Sequence, residues 1–151
     1  VDECFRILVV DDDESIRRML ATILEGEGYS VDTAENGQEA VDKSAARVYN
    51  LALVDVRLPD IEGVSLLTRF RETVPRMRKI IITGFPSIQN AVQALNNEAD
   101  GYVFKPFELD RLLETIRDQL RKQQEEKKYS LNKVTGFIET RVRELETEKT
   151  L

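Results

Sequence analysis

Ile7-Leu8-Val9-Val10-Asp11-Asp12-Asp13 is the stretch whose reading decides the fold. Four apolar residues bounded sharply by three carboxylates fit a short strand covered on both faces, because a half-exposed strand would alternate apolar with polar residues. Three further runs repeat the design: Leu51-Ala52-Leu53-Val54 stops at Asp55, Ile80-Ile81-Ile82 at Thr83-Gly84, and Tyr102-Val103-Phe104 at Lys105-Pro106. In open α/β sheets, chemistry gathers outside the carboxyl ends of the strands. Carboxylates, a hydroxyl and an ammonium are therefore expected at one edge, a set able to hold a divalent cation and a phosphoryl group together.

Helical patterns separate the runs. Ile16, Met19, Leu20, Ile23 and Leu24 share a face over about residues 14–27, closed by Gly26 and Gly28, and a short strand follows near Ser30 to Ala34. A second helix opens at Asn36-Gly37. A third, carrying Val64, Leu66, Leu67 and Phe70, follows the turn-rich Leu58-Pro59-Asp60-Ile61-Glu62-Gly63 and is expected to run until Pro75. A fourth, capped by Ser87, carries Ile88, Ala91, Val92 and Leu95; a last one begins near Glu108 with Leu109, Leu112, Leu113, Ile116 and Leu120 on one stripe. Five strand-helix alternations without hairpin signals predict an α/β fold, a parallel sheet with helices on both faces.

The chain has 151 residues, 41% hydrophobic and 33% charged, which suits one domain with a real core. Its net charge of -6 argues against general attraction to nucleic acid or an anionic membrane. The acidic excess lies in residues 1–120; beyond them Lys and Arg slightly outnumber Asp and Glu. Cys4 is alone, so no internal disulfide forms. No stretch is long and apolar enough to span a bilayer, Val1-Asp2-Glu3 lacks signal-peptide character, and a cytoplasmic location is expected. The absence of histidine removes histidine bases and metal ligands, so phosphate chemistry here must run through carboxylates.

Beyond Leu120 the apolar stripe lapses through Arg121 to Lys128 and returns at Leu131, Val134, Ile138, Val142 and Leu145, in steps of three and four. A lone helix with so narrow a stripe has little of its own to pack on. Docking on its own domain and pairing with a second copy are the two expectations, with Gly136 marking a break or a close approach. Leu151 carries no stop signal, which leaves open one domain with a helical extension or a piece of a longer protein.

Taken together, Asp11-Asp12, Asp55, Thr83 and Lys105-Pro106, in register with the strand ends, resemble the receiver domain of two-component response regulators over roughly residues 4–122. The resemblance implies a flavodoxin-like, doubly wound five-stranded parallel sheet of order 2-1-3-4-5, and the apolar stripe beyond it reads as an amphipathic helical tail or linker over 123–151, expected as a candidate coiled coil. It implies that Asp55 receives a phosphoryl group from a sensor histidine kinase or phosphotransfer protein, as an aspartyl phosphate within a phosphorelay. Mg²⁺ would be held by Asp12, Asp55 and the backbone carbonyl of Arg57, with Asp11 acting partly through water. Lys105, aimed by a cis bond to Pro106, and Thr83 would contact phosphoryl oxygens. Thr83 and Tyr102 would then switch the surface formed by the helix from Ser87, the fifth strand and the last helix, for protein partners or a homodimer. Such a chain is a signalling switch, not a conventional enzyme, and acts only on its own phosphorylation and dephosphorylation.

Two positions depart from the family pattern: Glu98 replaces the usual small residue before Ala99-Asp100, and bulky Phe85 follows Thr83 by two, where it is expected to slow hydrolysis. Asp13 is expected to cap the first helix. A rival reading is a phosphatase resembling the haloacid dehalogenase group, with Asp11 as nucleophile in an Asp-x-Asp stretch. It offers no role for Asp55. A flavodoxin-like cofactor binder would share the fold but lacks a Gly-rich phosphate loop. No direct nucleic acid contact is expected.

Overall fold

The continuous apolar runs lie at the middle of a parallel sheet in a computed structural model that describes residues 4–84, 96 and 99–149. β1 (Arg6–Val10), β2 (Ser30–Ala34), β3 (Leu51–Asp55), β4 (Arg78–Thr83) and β5 (Gly101–Phe104) are hydrogen-bonded in the order β2-β1-β3-β4-β5. All four pairings are parallel. Alternate residues of each strand serve opposite faces. Ile7, Val9, Leu51, Leu53, Ile80 and Ile82 meet Leu20 and Leu24 of α1 (Glu14–Gly26) and Leu112, Leu113, Ile116 and Leu120 of α4 (Leu109–Lys149). Leu8, Val10, Ala52, Val54 and Ile81 meet Ala40 of α2 (Gly37–Ala46) and Val64 and Leu66 of α3 (Gly63–Leu66). Burial on both faces is why these strands read as unbroken apolar runs.

The loops that follow the strands start helices by side-chain capping. Asp13 Oδ1 accepts the N–H groups of Ser15 and Ile16 at 2.9 and 3.3 Å, and Asn36 Oδ1 accepts that of Glu39 at 2.8 Å. Each satisfies donors that the first turn cannot. Gly28, at φ +96°, provides the left-handed residue that turns the chain from α1 into β2.

The third helix ends well before Pro75. α3 passes into a single 3₁₀ turn at Leu67–Arg69, and Phe70 is extended with its ring buried in the core. Sequence periodicity could not separate this from a longer helix, because Phe70 buries its ring equally well from either backbone. Two other features stop the helix there: the Thr68 hydroxyl donates back to the Ser65 carbonyl at 3.0 Å, and the buried Lys79 ammonium caps the Leu67 carbonyl at 3.0 Å.

The last helix runs 41 residues without a break, crossing residues 122 and 123 and passing straight through Gly136. Its docked part is sealed by a polar seam at the amino edge of the sheet. Gln123 is 1% exposed, accepts from the Asn50 amide at 3.1 Å, and donates to the carbonyls of Asn50 and Arg76 at 2.9 and 2.8 Å. Buried Arg78 reaches Glu126 at 2.5 Å and Asp100 at 3.4 Å. Beyond that point the side chains stand in solvent, among them Tyr129, Leu131, Val134, Phe137, Ile138, Val142 and Leu145. Among the described residues no helix is long and apolar enough to cross a membrane. The helix expected from Ser87 through Leu95, and the readings of Phe85 and Glu98, lie outside the described residues.

Candidate phosphoryl-acceptor and cation site

Strand register brings the four polar stops to one edge. Val10 pairs with Val54, Asp55 with Ile82, and Thr83 with Phe104, so Asp11, Asp55, Thr83 and Lys105 all leave the sheet at its carboxyl end. The exits are tied together by backbone bonds from Asp11 N–H to the Ala34 carbonyl (3.1 Å), from Val56 N–H to Ile82 (3.2 Å), and from Lys105 N–H to Thr83 (2.7 Å). Asp11, Asp12, Asp13, Asp55, Arg57, Gly84 and Lys105 line one cleft there.

Within it, one oxygen each of Asp11, Asp12 and Asp55 lies within 4.8 Å of the others. Three hard oxygen donors at that spacing fit a small divalent cation, which takes one or two carboxylates and fills the rest of its shell with water, carbonyl and substrate oxygens. The Lys105 ammonium bridges the cluster, 3.1 Å from Asp11 Oδ2 and 3.5 Å from Asp55 Oδ2. Asp11 is 3% exposed, and its other oxygen accepts the Asp13 N–H at 2.9 Å. Asp55 is held more loosely among the described residues, its Oδ1 accepting a 3.3 Å bond from the Arg57 N–H.

The electrostatics follow from this crowding. Burial pushes the Asp55 carboxyl up from its ordinary value and the charge of Asp11 adds to the rise, with Lys105 opposing both. For Lys105, burial alone would lower the ammonium, but Asp11 and Asp55 outweigh it and the group is raised. The cluster thus carries an excess of negative charge that one lysine does not cancel, the condition under which a cation is retained.

Not every expected residue lines the cleft. Thr83 is 1% exposed and sits one residue behind Gly84, on the sheet face that carries Ile81. Tyr102 packs against the same face, paired in register with Ile81. Its ring meets that of Phe104 edge-on at 5.1 Å, and its hydroxyl is buried without a hydrogen-bond partner among the described residues. Pro106, joined to Lys105 by a cis peptide bond, lines a separate groove with Tyr102, Phe104 and Phe107.

Sequence reasoning missed the residues that shape the loop after β3. Asp60 reaches across to α2 and accepts the N–H groups of Gly37 and Gln38 at 2.8 and 2.9 Å, which holds its carboxyl below the usual range. A Cβ on Gly37 would meet the Ile61 side chain, and one on Gly63 would meet the Asp55 backbone. The Asn36-Gly37 and Pro59-Asp60 pairs were visible as turn signals; that they clasp one another was not.

The chain matches the model of the response regulator receiver domain family over residues 7–117. It is 44% identical over 115 residues to the uncharacterized transcriptional regulatory protein YkoG of Bacillus subtilis, an alignment covering 76% of this chain and 50% of that one. This chain thus spans about half the length of that curated relative. The crystal structure of a CheY-like response regulator receiver domain protein from Methanospirillum hungatei JF-1 superposes with a TM-score of 0.79 at 43% identity, covering 82% of this chain and 99% of that one. A response regulator protein from Burkholderia pseudomallei, solved with a phosphorylated aspartic acid, calcium ion and citrate, superposes with a TM-score of 0.69 at 32% identity, covering 81% and 72%.

Proposed function

Because the chain belongs to the response regulator receiver domain family, we propose that Asp55 is its phosphoryl acceptor and that a sensor histidine kinase or phosphotransfer protein is the donor. The observation that carries this reading is the Lys105 ammonium, held at 3.1 Å from Asp11 and 3.5 Å from Asp55 in a cleft that leaves Asp55 the more loosely held of the two buried carboxylates. The phosphatase alternative needs Asp11 as nucleophile, but Asp11 is almost fully buried and its oxygens are held at 2.9 and 3.1 Å, closer than the 3.3 and 3.5 Å contacts of Asp55.

In the proposed transfer an Asp55 oxygen attacks phosphorus, the bond from phosphorus to the donor nitrogen breaks, and the leaving nitrogen keeps the electron pair. Mg²⁺ on Asp11, Asp12, Asp55 and the Arg57 carbonyl would neutralise phosphoryl oxygens during that step. Lys105 would move from carboxylate to phosphoryl oxygen as a point charge, and Thr83, buried behind the cleft, would turn toward it to donate its hydroxyl to another. The phosphorylated aspartic acid and calcium ion in the Burkholderia pseudomallei protein support the same use of this site.

The phosphoryl group would bias the Thr83 and Tyr102 face. A buried hydroxyl without a partner costs roughly 1–3 kcal/mol, so the observed Tyr102 rotamer is not deeply favoured over one that regains hydration. Full switching from 1:99 to 99:1 needs about 5.5 kcal/mol, more than one threonine bond and one lysine pair supply, and dimerisation through the exposed stripe of α4 would add to it. Arg141 and Glu144 pair along the helix at 3.0 Å, and the apolar residues of the stripe are left exposed to meet those of a second copy. A cytoplasmic location and output by protein contact complete the reading; transcriptional regulation is said of the longer relative.

The test is incubation with Mg²⁺ and a small phosphodonor, read by intact mass. Wild type gains one phosphoryl group and Asp55→Asn gains none; equal labelling of the two removes the assignment.

A further inference from the structure

Arg17, near the start of α1, reaches back to the exit of β1. Its Nη1 donates to the Asp11 carbonyl oxygen at 2.7 Å, its Nη2 stands 4.0 Å from the Glu35 carboxylate, and its side chain is only 15% exposed. The remaining polar atoms of Asp11 are engaged as well: the N–H by Ala34, Oδ1 by the Asp13 N–H, and Oδ2 by Lys105.

The Asp11 carbonyl belongs to the peptide plane that leads into Asp12. Since that unit is rigid, a donor fixed on its oxygen sets the direction in which the Asp12 Cα leaves and so where the Asp12 carboxylate can point. Asp12 is the exposed member of the three carboxylates that come within 4.8 Å. A planar guanidinium suits the task, because one side chain can hold the carbonyl and face Glu35 together.

We propose that Arg17 is a positioning residue for the cation site: by holding the Asp11 carbonyl it orients the Asp11–Asp12 peptide and presents both carboxylates to the ion without touching it. This rests on the cation reading given above. Residues one layer out from a metal ligand typically change affinity by about 10- to 100-fold when removed, and a single carbonyl contact belongs at the lower end.

The experiment titrates Mg²⁺ alone into the full chain by calorimetry for wild type, Arg17→Met and Arg17→Lys, and follows amide exchange of Asp13 in the metal-free proteins. Wild type binds Mg²⁺, Arg17→Met binds about tenfold more weakly and exchanges the Asp13 amide faster, and Arg17→Lys recovers most of both, because an ammonium can reach the same carbonyl. Wild-type affinity in Arg17→Met overturns the inference and leaves the cation site standing, as does a lysine variant no better than methionine, which assigns the loss to packing. No binding by wild type overturns the cation reading and this inference with it. Should the methionine variant not fold, Arg17→Gln, too short to reach the carbonyl, takes its place with the same outcomes.

Discussion

Gly63 lies so close beneath Asp55 that a Cβ on it would stand 2.0 Å from the Asp55 carbonyl oxygen. Its N–H donates to the Val56 carbonyl at 2.8 Å, so the start of α3 is pressed against the end of β3 by a hydrogen bond that only a residue without a side chain permits. Gly63→Ala must move backbone, and is expected to destabilise by about 1–3 kcal/mol and to slow Asp55 labelling. Gly37→Ala meets chiefly the Ile61 methyl, which can shift, and should cost less. Urea unfolding of both variants checks the order.

Asp55→Asn is expected to stabilise the protein at neutral pH, seen as a higher melting temperature than wild type. The raised Asp55 carboxyl means that the folded state resists ionisation there, so its charge is a cost that is fully present above the folded pKa and disappears as pH falls toward the unfolded value of about 3.9. The gap in melting temperature between variant and wild type should therefore close on acidification. A gap that widens instead contradicts the assignment.

Removing Lys105 leaves two buried carboxylates without their counter-ion. Lys105→Met should destabilise by about 2 kcal/mol, and by less in an Asp55→Asn background, where only Asp11 loses a partner. Because the lysine is raised in the folded state, its contribution should persist through neutral pH and be lost only as pH rises above about 10.4. Chemical denaturation of the four proteins of this cycle measures the coupling.

The Asp60 clasp has the opposite pH signature. Its lowered carboxyl stabilises the fold above the ordinary carboxylate range, and that contribution is lost as pH falls through the folded pKa. Asp60→Asn should differ from wild type at pH 7 and match it in strong acid, with faster amide exchange at Gly37 and Gln38 as the local readout.

A chain ending at residue 122 loses Gln123 and Glu126 and uncovers Asn50 and Arg78 at the amino edge. Three hydrogen bonds of about 1 kcal/mol each predict a loss of about 2–3 kcal/mol, while a chain ending at 128 keeps the seam and should melt like the full length at concentrations where the full length is monomeric. Gel filtration of the 128 form separates the two roles of α4: it should be monomeric if the exposed stripe pairs copies.

Much of the site was legible because it depends on where strands stop. An apolar run covered on both faces must end when the chain leaves the core, so Asp11, Asp55, Thr83 and Lys105 announced themselves as punctuation, and Asp13 was readable as a cap. Phe70 misled, since an apolar residue at helical spacing can reach the core equally from an extended backbone. Gln123 and Glu126 fell in a stretch that looked like a lapse in the stripe. Their partners, Asn50, Arg76 and Arg78, lie 47 or more residues away in the chain.

Unbroken apolar runs separated by helical periodicity, which depend only on the order of apolar and polar residues, were enough to determine the parallel sheet, its two helical layers and the chemical kinds of group at its edge. Register and loop packing decided the rest: which carboxylate is engaged and which is loosely held, that Thr83 sits behind the cleft and not in its lining, and that Asp60, Gly63 and Arg17 hold the loops that carry the site. Such distinctions arise from distances between residues remote in the chain, and a linear pattern carries no distances.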